Sequence, residues 1–373
     1  MLRSFSSLLA LVALLAACGD DAASTPLAVD DGGAGDSSVD GGLSSDAALR
    51  SDGSSSDAFS GDGGPCAVQR HSIASPDGST LIAVDPAGVI YSVSKTAIYS
   101  FSSSAPSPKV LFAGPVWATA SASTPQAITT STHLYVPTDA GLLRFSTSTG
   151  TKELVSSELV YGGMVVEGAF AYYTNTNGEV RRLDLGSLPA TSTIFAKQGL
   201  DYQNAYVAVA GTNLIVGDGN GVYMLPLGGG ARTQLWSPAG KPPEYLYGFG
   251  GTSTHAFVSA FHFNSTHAGI GRLALDGSSG GAIDWFSNSG GDDYPFHGMP
   301  SQSNHAPLVA GGIVLAMQTG ALQSKITLQR QPLPSGTACV FDTFAVTQVL
   351  TEAASGHTFA WADTTQVVWY DLP

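Results

Sequence analysis

Seven short apolar segments recur along the chain at nearly even spacing, and this recurrence limits the fold more than any other feature. They read AIYSFSS, GLLRFSTSTG, EVRRLDLGS, GVYMLPLGGG and GIGRLALDG, with weaker copies in ITLQRQPLPSG and QVVWYDL. Anchored on Ile98, Leu142, Val180, Val222, Ile270, Ile326 and Val367, they lie 38–56 residues apart and about 45 on average. One four-stranded propeller blade takes ~40–50 residues. Between the anchors, Val/Ile/Leu/Tyr runs alternate with Gly, Asn, Asp and Ser turns, and no segment of residues 66–373 has helical periodicity. That is an all-β pattern.

The third copy shows the unit. GGMVVEGAF reads as an inner strand, AYYTNTNG follows with a hairpin at Asn177-Gly178, and EVRRLDLGS and TSTIFAKQ complete four strands. Asn-Gly is a strong two-residue hairpin signal because both positions take φ > 0. Equivalent turns fall at Asp139-Ala140-Gly141 and Asn220-Gly221, with Asp218 nearby; turn chemistry alone accounts for these Asp and Asn residues. Strands covered on both faces favour continuous apolar runs over strict alternation, as in Met164-Val165-Val166 and AYVAVAG. Seven anchors predict a β-propeller of seven four-stranded blades. The last anchor lies six residues from the end of the chain, so the seventh blade lacks an outer strand. Residues 67–73 (AVQRHSI) supply it in this reading, and closure removes an exposed sheet edge. The alternatives are six blades with one irregular unit, or two β-sandwiches.

The N-terminal end reads as an address. Arg3 precedes the ten-residue apolar run Leu8–Ala17, too short for a bilayer span of about 20 residues. Leu15-Ala16-Ala17-Cys18 resembles the lipobox of bacterial lipoproteins. The resemblance implies cleavage after residue 17 and lipidation of Cys18, which anchors a protein to a membrane without crossing it. Gly19 rather than Asp follows the cysteine, which in that family points to the outer membrane. The alternative is an ordinary secretory signal with an incidental cysteine. Residues 19–65 hold ten Asp, one Arg and no Glu, a net charge of −9 within a total of −14. Such a stretch buries too little apolar surface to offset its ordering entropy; it reads as a tether spanning roughly 35–40 Å. Without Glu it lacks the late ligand of an EF-hand loop. The domains are therefore 1–17 signal, 18–65 lipidated Cys and tether, and 66–373 propeller. With Cys18 lipidated, Cys66 and Cys339 remain. Both sit near the closure seam in a compartment where disulfides persist, so they are either paired or two separate buried thiols. Lipobox, acidic Ser/Gly/Ala tether and Tyr/Gly-rich repeats together resemble the β-propeller surface lipoproteins of unassigned function found in myxobacteria. The resemblance brings no catalytic residues.

Chemistry is sparse. Charged residues make up 12% of the chain, and a net acidic balance excludes a nucleic-acid partner, which needs a basic face. The body alone, with 13 bases and 19 acids, carries −6. There is no Walker loop, H-E-x-x-H or zinc spacing, so no catalytic residue, metal site or cofactor is assigned. Ser75-Pro76-Asp77 begins an Asp box, but Ser79 stands where Gly is needed. Gly277-Ser278-Ser279-Gly280-Gly281 matches G-x-S-x-G, yet no helical pattern follows as a nucleophile elbow requires. It reads as a turn.

Aromatic residues mark the connections between blades: Trp117, Tyr161, Tyr202, Tyr245, Tyr247, Tyr294 and Phe296. Acids accompany them at Glu158, Asp201, Glu244, Asp292 and Asp293. A ring of these on one face would stack on sugars or hold a peptide; the competing reading is packing between blades. Five of eight histidines, His255, His262, His267, His297 and His305, fall within 51 residues. They read as exposed or structural, with metal binding and acid–base work as the alternative. The expected function is a membrane-anchored extracytoplasmic module that binds a glycan, peptide or protein, with a polysaccharide lyase or hydrolase as the alternative.

Overall fold

The computed structural model describes residues 67–78, 81–116, 126–160, 163–175, 177–197, 206–218, 221–237, 244–262, 268–281, 283–285, 308–310, 312–319, 326–332, 339–344 and 351–373. Cys18 and Cys66 lie outside them. Among these residues there is no α-helix, only a 3-10 turn at Pro76–Gly78.

The strands form seven four-stranded antiparallel sheets among the described residues. Strand β1 (Gln69–Ala74) precedes the first sheet, which holds β2 (Leu81–Val84), β3 (Ile90–Val93), β4 (Ala97–Ser102) and β5 (Ala105–Ala113). The second holds β6 (Ile128–Thr129), β7 (His133–Thr138), β8 (Gly141–Ser146) and β9 (Lys152–Ser156). The third holds β10 (Met164–Glu167), β11 (Phe170–Thr174), β12 (Glu179–Asp184) and β13 (Thr193–Lys197). The fourth holds β14 (Tyr206–Ala210), β15 (Asn213–Asp218), β16 (Gly221–Pro226) and β17 (Thr233–Trp236). The fifth holds β18 (Glu244–Gly251), β19 (His255–His262), β20 (Ala268–Ala274) and β21 (Asp284–Trp285). The sixth holds β22 (Leu308–Ala310), β23 (Ile313–Thr319), β24 (Ile326–Pro332) and β25 (Cys339–Phe344). In the seventh, β26 (Thr351–Ser355), β27 (Thr358–Ala362) and β28 (Gln366–Asp371) are completed by β1.

The first strands of successive sheets are neighbours from β2 round to β26, and β26 in turn lies beside β2. The sheets therefore close into a ring with these strands innermost, which is a β-propeller. All seven sequence anchors fall in the third strand of a sheet. The closing strand is also where the sequence puts it: β1 pairs with β28 from Gln69↔Asp371 to Ala74↔Gln366.

The core lies between sheets rather than inside one. Six buried apolar clusters are described, and each joins two neighbouring sheets; Ile82, Ile90 and Phe101 of the first meet Ala360, Val367 and Trp369 of the seventh. Burial from both sides is why β2 and β3 are buried at every position. A device not read from the sequence repeats at the rim. Ile98 pairs with Phe112 but Tyr99 with Val110, leaving Leu111 as an extra residue in the outer strand. The same shift leaves out Val155, Phe195 and Leu235 in the next three sheets. Each extra residue is apolar, and Val155 and Leu235 are buried. Such bulges add local twist and turn an outer-strand side chain into the space between sheets.

One segment departs from the sequence reading. GGMVVEGAF is not a single inner strand: β10 ends at Glu167, Gly168 turns with φ 57°, and Phe170 opens β11. The glycine was legible as a turn residue, but the apolar run across it outweighed that signal.

Candidate functional site

Antiparallel alternation sorts the loops. Second-to-third-strand hairpins and the connections between sheets leave on one side, here the connection face. The other turns leave on the opposite side. Trp117, Tyr161, Tyr202, Asp201, Asp292, Asp293, Tyr294, Phe296 and His297 lie outside the described residues. Tyr245 and Tyr247 do not lie in a connection. With Glu244 they belong to β18, the inner strand of the fifth sheet. The pairing shifts between Leu246 and Gly248, so Tyr247 is the additional residue of a bulge. Tyr and Phe are good strand formers, so the aromatic run here continues a strand and does not mark a loop.

Glu158 does lie in a connection, between β9 and β10, and it anchors the best-described polar cluster on this face. Tyr173 Oη and Ser192 Oγ each donate to Glu158 Oε2 at 2.5 Å. Arg181 Nη2 reaches Glu158 Oε1 at 3.5 Å, while its Nε donates to Ser192 Oγ at 2.8 Å and its Nη1 to Glu179 Oε2 at 3.2 Å. Asn175 Nδ2 donates to the same Glu179 oxygen at 3.0 Å. The cluster ties the connection between the second and third sheets to the third sheet, with two carboxylates around one guanidinium. Partial burial pushes the Glu158 carboxyl up, but hydrogen bonds from Ser192 and Tyr173 and the charge of Arg181 outweigh it and hold the group below its ordinary range. Burial and the Glu158 carboxylate push Tyr173 well above the usual phenol range. Tyr173 is fully buried, so it positions Glu158 rather than meeting a ligand. About a third of the Glu158 side chain is exposed.

Because folding lowers this carboxyl's pKa, its stabilising contribution is present above the unfolded value near 4 and is lost as pH falls through the folded value. Glu158→Gln should therefore cost about 1–2 kcal/mol at pH 7, the range for bonds to a charged group reduced for exposure. The gap to wild type should close below about pH 4 in urea titrations run at several pH values. A gap of equal size at pH 3 and pH 7 would show that ionisation is not what the site uses.

Two histidines form matched turns on the opposite face. Thr130-Ser131-Thr132-His133 and Thr252-Ser253-Thr254-His255 fold alike. In each, the first Thr accepts the His amide at 3.1 Å and the second Thr hydroxyl contacts Nδ1 at 2.9 Å. Arg144–Glu153 at 2.6 Å and Arg272–Asp284 at 2.8 Å sit at corresponding positions. Burial, with the nearby arginine, lowers both imidazole pKa values, so both are neutral at pH 7. The sequence signal was the repeated T-S-T-H itself, which a count of histidines overlooks. His262 lies in β19, while His267, His297 and His305 lie outside the described residues. Among the described residues no group of three or more His, Cys, Asp or Glu is arranged to hold a metal.

The closure seam holds a third constellation. Ser103 Oγ donates to Asp371 Oδ1 at 2.5 Å, and His71 Nε2 contacts Asp371 Oδ2 at 3.0 Å. The carboxylate lies between hydroxyl and imidazole, so the imidazole is not placed to take the serine proton as in a Ser-His-Asp triad. Arg70 pairs with Asp342 at 3.4 Å, and Tyr370 Oη donates to the same carboxylate, tying β1 and β28 to β25. Cys339, at the start of β25, is disulfide-bonded. The G-x-S-x-G segment is a turn: Gly277, Gly280 and Gly281 all have positive φ, and Asp276 Oδ1 accepts the Ser278 amide at 2.9 Å.

No protein-family model and no curated protein matches the chain in sequence. In structure it is similar to virginiamycin B lyase from Staphylococcus aureus, with a TM-score of 0.54 and 13% identity over 82% of this chain and all of that one. A chain of the mitotic checkpoint complex gives a TM-score of 0.54 and 12% identity, over 81% of this chain and 93% of that one. At such identities the likeness establishes the β-propeller fold and nothing finer.

Proposed function

We propose that this chain is a lipid-anchored extracytoplasmic module, held at the outer membrane through Cys18, that presents its connection face to a glycan, peptide or protein. The observation that carries the binding reading is the Glu158–Arg181–Glu179 array on the face to which the sequence assigns Trp117, Tyr161 and Tyr202. Fixed carboxylates around a guanidinium suit a hydroxyl-rich or peptide ligand, and neighbouring aromatic faces suit stacking. The anchor reading rests on Leu15-Ala16-Ala17-Cys18 and the acidic tether behind it.

A second reading, an enzyme acting on an extracellular polymer as a polysaccharide lyase or hydrolase, is favoured by the likeness in fold to a lyase. A glycan and peptide array combined with a lyase and hydrolase assay separates the two. Binding without turnover, weakened by Tyr161→Ala, is the expected result; turnover of a bound polymer would replace the module with the enzyme. Mass spectrometry of the mature protein should find acylated Cys18 at the N-terminus, and unreduced digests should link Cys66 to Cys339. An unmodified start elsewhere would remove the anchor.

A further inference from the structure

Among the described residues four large apolar side chains are exposed: Val110, Leu154, Leu159 and Ile194. Three of them share one register position. Val110 of β5, Leu154 of β9 and Ile194 of β13 each stand immediately before the extra residue of a rim bulge, across from Tyr99, Leu143 and Arg181. They are 53%, 45% and 46% exposed. Leu159 lies in the connection that follows β9. The fourth sheet breaks the series, because the exposed Gln234 takes the same position there. One exposed aliphatic side chain is ordinary on a soluble surface. A Val, a Leu and an Ile at one register on three adjacent outer strands form a patch, and such patches mark contact surfaces.

The same three edges are basic. β5 holds Lys109, β9 holds Lys152 and β13 ends in Lys197. The outer strands β17, β21 and β25 hold no Lys or Arg, and the last two hold Asp284 and Asp342. Lys109 and Lys152 are exposed. Lys152 donates to the Pro115 carbonyl at 2.7 Å and lies 5.8 Å from the centre of the Phe112 ring, contacts that hold the ammonium without neutralising it. Glu153, the one acid on β5, β9 and β13, is paired with Arg144 at 2.6 Å. The charge of the whole body divides in the same way. Residues 81–197, which form the first three sheets, hold seven bases and seven acids, whereas residues 198–373 hold five bases and eleven acids and carry the net −6. Near a surface of anionic phosphates the acidic side is repelled, and the first three sheets turn toward it. Pro106, Pro108 and Lys109 in β5 also blunt that edge as a template for a strand of another chain.

We propose that the outer edge of the first three sheets rests on a lipid bilayer bearing anionic phosphate headgroups, with Val110, Leu154 and Ile194 entering the interface and the lysines at headgroup level. The proposal rests on the lipid-anchor reading for how the body reaches the bilayer. A tether of roughly 35–40 Å keeps the two at high effective concentration, so a weak contact is enough. An edge meets the bilayer in this orientation, which leaves the connection face open to its ligand. The test uses the full mature protein in phosphatidylglycerol vesicles containing a brominated lipid. One sample carries a fluorophore on Thr151→Cys, at an exposed position in the turn before β9. Another carries it on Ser278→Cys, also exposed, in the corresponding turn of the fifth sheet. The dye at 151 should be quenched several-fold more than the dye at 278. Combining Val110→Ser, Leu154→Ser and Ile194→Ser should bring the two together while the melting temperature and flotation with the vesicles stay put. Phosphatidylcholine in place of phosphatidylglycerol should also shrink the difference. Equal quenching of the two dyes in the unsubstituted body, or quenching at 151 that survives the three serines, overturns the proposal. So does a dimer in solution that the three serines dissolve while the dyes are quenched alike, which would assign the patch to a second copy of this chain. A chain without lipid on Cys18 would remove the anchor alone; the stronger quenching at 151 must then appear when vesicles are added to the free protein, and its absence there overturns the proposal as well.

Discussion

Trp369→Ala is expected to cost about 3–5 kcal/mol of folding stability, the upper range for removing a fully buried aromatic side chain. Trp369 joins three parts of the chain that are far apart in sequence. It lies on β28, stacks on His71 of β1 at 5.2 Å and meets Phe101 of β4 at 5.3 Å. Its indole N–H donates to Ser103 Oγ at 2.9 Å. It has no exposed surface. Truncation leaves a cavity lined by both ends of the ring, and the surroundings cannot collapse into it without moving the seam. Val110→Ala, at a rim side chain 53% exposed, should change stability by less than about 0.5 kcal/mol. Urea unfolding of the two variants beside wild type makes the comparison. A loss below about 1 kcal/mol for Trp369→Ala would mean that ring closure adds little to the cooperative unit.

The repeat and its closure were legible because they rest on side-chain patterning that any blade must satisfy. Five of the anchors enter the space between sheets on the third strand: Ile98, Leu142, Val180, Val222 and Val367 are all fully buried. The completion of the seventh sheet from the start of the body, read as residues 67–73 and found at Gln69–Ala74, followed from counting strands. Position within a unit was harder. Gly168 and Tyr247 both sit where the chain departs from a regular strand, by a turn in one case and a bulge in the other. An apolar or aromatic run looks the same on either side of such a break. The rim bulges were invisible for the related reason that an extra residue in an outer strand leaves the composition unchanged.

Less of the candidate site could be read. Glu158 is an acid beside aromatics in the sequence, but its partners Tyr173 and Arg181 lie on β11 and β12 and Ser192 in the turn before β13, and no local pattern joins them. The T-S-T-H turns were the reverse case. Their signal is local and complete, but it shows only when histidines are compared by place in the repeat, because nearness in sequence separates His133 from His255.

Gly150→Ala is expected to cost about 2–5 kcal/mol, and comparison with Gly168→Ala shows why. Both glycines are left-handed, with φ of 71° and 57°. Alanine in that region costs about 1–2 kcal/mol wherever it occurs. A Cβ at Gly168 would meet nothing within 4 Å, so Gly168→Ala should show that cost alone. A Cβ at Gly150 would lie 1.9 Å from the carbonyl oxygen of Leu111. Leu111 is the extra residue of the first sheet's rim bulge, and its carbonyl is backbone that cannot rotate away as a side chain would. The second sheet must then move off the first, and forced expansion of a packed interface adds about 1–3 kcal/mol or more. Because the sheets form a ring, a gap opened at one junction strains the others, so relaxation should be less complete than in an open stack. Equal losses for the two variants by urea unfolding would show that neighbouring sheets are not held at this separation. A Gly150→Ala loss at least about 1 kcal/mol larger would place the steric limit on blade spacing at the turn that faces the bulge.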